Sequence, residues 1–70
     1  MNDHDVLSAA KLLTSRHEFV TVRTVAEQLG VSELSEVERS LRRLQQARKL
    51  SIGLATSAAG CFVTYTPDDL

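Results

Sequence analysis

The sequence predicts a small α+β domain, three helices followed by a C-terminal β-hairpin, and three observations lead there. Apolar residues recur at three- and four-residue spacing through Val6, Leu7, Ala9, Ala10, Leu12 and Leu13, and again through Val37, Leu41 and Leu44, which is the period of an amphipathic helix. Between these runs, Val25-Ala26-Glu27-Gln28-Leu29-Gly30-Val31-Ser32 reads as a helix stopped by a glycine, with another helix following at once. Beyond Leu50 the spacing changes to alternation, Leu50-Ser51-Ile52-Gly53-Leu54, and then to the β-branched and aromatic run Cys61-Phe62-Val63-Thr64-Tyr65-Thr66, which Pro67 closes. Seventy residues hold one domain with a compact core.

Each element follows from local chemistry. Helix one is expected over about residues 5–16, with Asn2, Asp3 or Asp5 capping its start and Arg16 and His17 at the negative end of its dipole. Phe19-Val20 is too short for more than a brief strand or a core anchor. Thr21 is a good N-cap for helix two, about residues 22–29, and contributes about 1 kcal/mol by satisfying a free backbone N–H. Val22, Thr24 and Val25 are β-branched and weaken that helix in isolation, so tertiary packing must hold it. Gly30 supplies the left-handed stop, and Val31 plugs the turn.

Ser35-Glu36-Val37-Glu38 spells a capping box that starts helix three at Glu36 and runs it to about Lys49; Ser32 is a rival cap that starts it at Glu33. The hairpin is expected over about residues 50–66, with the small residues from Ala55 to Gly60 as its turn. Cys61 reads as a small buried apolar residue. Asp68-Asp69-Leu70 reads as a frayed acidic tail.

Composition narrows the function. A single cysteine makes no internal disulfide, and His4 and His17 have no metal-site spacing, so neither metal nor cofactor is expected. No apolar run approaches the roughly 18 residues that span a bilayer, and the acidic N-terminus is unlike a secretory signal; the expected location is cytoplasmic, away from membranes. There is no glycine-rich phosphate loop, no carboxylate pair in an apolar setting, and no cue joining Cys61 to a histidine as nucleophile and base, so an enzyme is not expected. Eight Lys and Arg stand against nine Asp and Glu, a net charge of −1. Phosphate binding must therefore rest on a local patch.

The residues Thr21-Val22-Arg23-Thr24-Val25-Ala26-Glu27-Gln28-Leu29-Gly30-Val31-Ser32, then Val37, Leu41 and Leu44, then Leu50-Ser51-Ile52, stand in the order of a winged helix-turn-helix. Across nearly its whole length the chain resembles that DNA-binding family, as found in small prokaryotic transcription regulators. The resemblance implies that helix three enters the major groove and that the hairpin, the wing, lies along a neighbouring groove or backbone. Two departures stand out. The four residues Glu33 to Glu36 separate Ser32 from Val37, one more than the commonest family spacing, which lengthens the turn. No lysine or arginine occurs from Leu50 to Leu70, so the wing reads as structural.

At about 100° per residue, Val37, Leu41 and Leu44 define the buried stripe of helix three. The opposite direction carries Ser35, Arg39, Arg42 and Gln46, with Arg43, Lys49 and Glu38 beside them. Arginine bonds guanine bidentately, glutamine bonds adenine, and serine and lysine reach phosphates or base edges, so this is the candidate DNA-binding face. The plain alternative is a solvated helix face with local Glu–Arg neighbours. Arg23 and Thr24 at the start of helix two are further candidates for a phosphate, as the resemblance implies, or else a surface arginine and a helix-facing threonine. By angle, Arg48 falls on the buried side and is expected to snorkel past the helix end or pair with the acidic tail.

Two functions fit. One is a transcription regulator binding duplex DNA through helix three as a homodimer, with half-sites about one helical turn apart. The other is a winged helix used for protein contact, its partner held by the uncharged hairpin edge or by helix one.

Overall fold

In the computed structural model, which describes residues 2–68, Asn2 starts the first helix: its Oδ1 accepts the Asp5 N–H at 2.9 Å. The helix, α1, spans Asp3–Ser15, two residues earlier than the spacing alone suggested. Thr21 caps α2, Val22–Leu29, and does so reciprocally. Its hydroxyl accepts the Thr24 N–H at 3.1 Å while its own N–H donates to Thr24 Oγ1 at 2.8 Å. Threonine here fills the role usually given to glutamate in a capping box.

The third helix, α3, spans Leu34–Gln46, and neither expected serine cap forms. The N-cap is Glu33, without a side-chain bond, and Ser35 already lies inside the first turn, where its backbone is helical and its hydroxyl cannot act as a cap. The cause lies upstream. Val31 N–H donates to Ala26 O at 2.9 Å and its side chain packs on the core, so the chain is aimed into a helix before it reaches Ser35. The far end also differs: α3 stops at Gln46 rather than Lys49.

All three helices end in the same way. The N–H groups of Glu18, Val31 and Lys49 reach back to Leu13, Ala26 and Leu44 carbonyls, and those of His17, Gly30 and Arg48 to Thr14, Glu27 and Gln45. Each set is the paired bonding of a Schellman stop, with His17, Gly30 and Arg48 at φ 59°, 68° and 61°. This corrects the expectation for Arg48. Turned out of the helix by its left-handed backbone, it is exposed rather than on the buried side. Only one of the three sites has a glycine, which gives a paired prediction. Gly30→Ala lowers the unfolding free energy by about 1 kcal/mol and Arg48→Gly raises it by a smaller amount, measured as urea midpoints.

The hairpin is longer and its turn tighter than expected. Strands β1, Leu50–Ser57, and β2, Gly60–Pro67, pair antiparallel from Leu50↔Pro67 to Ser57↔Gly60, leaving only Ala58-Ala59 between them. The core lies beneath it: Val6, Ala9, Ala10, Leu13, Val20, Val25, Ala26, Val37, Leu41, Leu44, Leu50 and Tyr65 are all buried. Val20 is the anchor expected of its segment, and its carbonyl accepts the Tyr65 N–H at 2.9 Å, fastening β2 to the α1–α2 connection. Cys61 is exposed, against expectation, because it pairs with Thr56 near the hairpin tip, out of reach of the helices. Asp68 is not a frayed tail either: its N–H donates to Lys49 O and its carboxylate accepts from Ser51 Oγ. Asp69 and Leu70 lie outside the described residues. Three helices followed by a two-stranded antiparallel hairpin make a small α+β domain with the winged-helix layout.

Candidate nucleic-acid interface

The geometry of α3 is set by its apolar stripe. Val37 and Leu41 are fully buried and Leu44 nearly so, which turns the opposite side of the helix to solvent. Ser35, Arg39, Arg42 and Gln46 are all exposed there. Their local bonds are weak. Arg39 Nε donates to Ser35 O at 3.4 Å, and Arg42 Nη2 meets Glu38 Oε1 at 3.2 Å in an exposed i,i+4 pair. Such pairs contribute a few tenths of a kcal/mol and give way to a phosphate at little cost.

Arg43 stands apart from these four. Its Nη2 and Nε donate to the two carboxylate oxygens of Asp3 at 2.8 and 3.1 Å, while the buried hydroxyl of Ser40 donates to Asp3 Oδ1 at 2.6 Å. Ser40 and Arg43 are one turn apart, so both face the first turn of α1. The fork of Arg43 is thus engaged by a carboxylate in the geometry a phosphate would require. The Arg43 and Ser40 bonds hold the Asp3 carboxyl down from 3.8 to about 2.

A pH dependence follows. The folded-state value is depressed, so the contribution of Asp3 to stability is complete above 3.8 and is lost as pH falls through about 2. Wild type is therefore expected to be more stable than Asp3→Asn at neutral pH. The gap between their urea midpoints should close as pH is lowered from 4 toward 2.

At the start of α2, Arg23 is exposed, but the Thr24 hydroxyl is committed to backbone. It accepts from Thr21 N–H and is within bonding distance of the carbonyls of Phe19 and Thr21, at 2.9 and 3.2 Å. Thr24 thus shapes the helix start, and of the two candidates there Arg23 alone projects outward.

The overall charge hides a segregation along the chain. Arg39, Arg42, Arg43, Arg48 and Lys49 are five of the eight cations, and no Asp or Glu occurs from Arg39 through Pro67. Arg48 and Lys49 are both exposed just past α3, adding positive charge to the end of the candidate face. Arg48 is the residue that angular reasoning misplaced; counting acids and bases by position, rather than over the chain, would have shown its setting. The wing contributes no charge from Ser51 to Pro67. No family model, curated protein or solved structure matches the chain. Among the described residues no helix is long and apolar enough to cross a membrane.

Proposed function

We propose that this chain binds duplex DNA through α3 as a small transcription regulator of the winged-helix kind. The observation that carries the reading is the exposed strip Ser35, Arg39, Arg42 and Gln46 on the second helix of a turn-linked pair, extended by Arg48 and Lys49. A helix about 10–12 Å across fits the major groove, and these side-chain types can bond both base edges and phosphates. Arg23 lies at the first turn of α2, the element that crosses the backbone in such a docking. Arg43 lies beside the strip, and its bond to Asp3 braces α3 on α1. The proposed chemistry is recognition and not catalysis.

The test is a titration of mixed-sequence duplex DNA by fluorescence anisotropy at two or more salt concentrations. Binding that weakens as salt rises, with a log–log slope of about −0.9 per phosphate neutralised, supports the reading. A folded protein that shows no salt-sensitive binding at low ionic strength overturns it.

A second reading, a winged helix devoted to protein contact, is favoured by the charge-free wing. Its Ile52, Leu54 and Val63 are exposed and none is flanked by a basic residue on the hairpin.

A further inference from the structure

We infer that two copies of this chain associate through the wing, the outer edge of β1 pairing antiparallel with its own counterpart to make a four-stranded sheet. The inference is independent of DNA binding and begins with the direction of one bond. Tyr65 N–H points away from β1, because it donates to Val20 O. In an antiparallel ladder the residue opposite such a group also turns its N–H and C=O outward, and that residue is Ile52. By the two-residue period, Leu54 and Thr56 do the same. Among the described residues, no backbone group outside the hairpin bonds to β1 along this stretch, whereas β2 is fastened to Val20 on its outer side.

The side chains favour the same contact. Ile52, Leu54 and Val63 share the face that carries Leu50, Tyr65 and Pro67 at the hairpin base, but they lie farther out and are 54%, 77% and 42% exposed. Edge strands are ordinarily guarded against pairing by lysine, other charges, proline or a bulge. This edge has none of these between Ser51 and Thr66.

The absence of charge favours a second copy over a charged partner. In a protein with 24% charged residues, a hairpin without any gains nothing from an acidic or basic partner and meets no repulsion from itself. A two-fold axis at Leu54 sets Leu54 opposite its copy and Ile52 opposite Thr56 of the second copy. Each facing pair then exchanges two backbone bonds, and the apolar side chains meet across the axis on one face. Such an edge contact buries less than the roughly 1,200 Å² of a stable interface, so the dimer is weak and appears at high protein concentration.

The experiment is sedimentation equilibrium without DNA over micromolar to millimolar protein, for wild type, Leu54→Lys and Leu54→Pro. Proline is informative because the Leu54 N–H points away from β2, so the hairpin ladder survives its loss. The expected result is a monomer–dimer equilibrium in wild type whose dissociation constant rises about tenfold or more in both variants, each with an unchanged circular dichroism spectrum. A wild type that stays monomeric at millimolar concentration overturns the inference. So does a dimer insensitive to both variants, or one lost in Val63→Lys but kept in Leu54→Pro, which would place the contact on the sheet face instead. Because no DNA is present, these outcomes are separate from those of the salt titration.

Discussion

Replacing Leu41 with alanine is expected to lower the unfolding free energy by about 2.7–5 kcal/mol, the range for a leucine whose loss leaves a cavity that its surroundings cannot fill. Leu41 is fully buried in the middle of α3, on the stripe that meets the rest of the core. A domain of this length holds about 3.5–10 kcal/mol in total, at about 0.05–0.15 kcal/mol per residue, so one truncation removes a large part of it. Urea denaturation followed by far-UV circular dichroism should show a midpoint shifted far down, or a protein partly unfolded without denaturant. Leu54→Ala is the comparison: the same chemical change at a side chain 77% exposed should leave the midpoint of the monomer nearly unchanged. Equal losses at both positions would contradict the core assigned here.

The second large effect concerns the proposed DNA binding. The Arg39→Ala/Arg42→Ala variant is expected to bind its best duplex at least about thirtyfold more weakly, since each bidentate base contact contributes about 1–3 kcal/mol. The salt dependence divides base from phosphate contacts. If both arginines lie on phosphates, the log–log slope becomes shallower by about 0.9 for each and affinity falls alike for all sequences. If they read bases, the slope changes little and discrimination between sequences collapses. Both side chains are exposed and bonded only within α3, so the variant should retain the wild-type fold. Unchanged affinity in the double variant would remove this face as the binding surface.

How much of this was legible in the amino-acid order depends on the range of the interaction. Thr21 as a cap, Gly30 as a stop and Val37, Leu41 and Leu44 as one buried stripe are local patterns, and the structure has all of them. The capping box at Ser35 is equally local, yet it is overruled by Val31, whose packing sets the course of the chain one turn earlier. Arg48 was misplaced because 100° per residue holds only while the helix continues, and its backbone is left-handed.

The candidate site shows the same division. Angular counting put Ser35, Arg39, Arg42 and Gln46 on the solvent side, where they are. It could not find the partner of Arg43, because Asp3 lies forty residues away in sequence and the two meet only through helix packing. Ser40 was invisible as a buried group for that reason too: a serine is accommodated against α1 because its hydroxyl donates a hydrogen bond to the Asp3 carboxylate. Cys61 carries the complementary lesson. Its residue type prefers the interior, but hairpin length carried it beyond the helices.

The bond from Tyr65 to Val20 makes the wing a cantilever mounted at one end. At its base Val20 holds the outer side of β2 and the Asp68–Lys49 bond closes the ladder between the two strands, while the exposed tip at Ala58-Ala59 lies beyond both. Val20 is the residue before Thr21, whose hydroxyl starts α2, and Phe19 before it stacks edge-on against Phe62 at 5.1 Å. A load applied at Ala58-Ala59 is therefore delivered by the strand to the joint between the first two helices. The wing, without any charge of its own, is thus joined through Phe19 and Val20 to the start of α2, the helix that precedes α3.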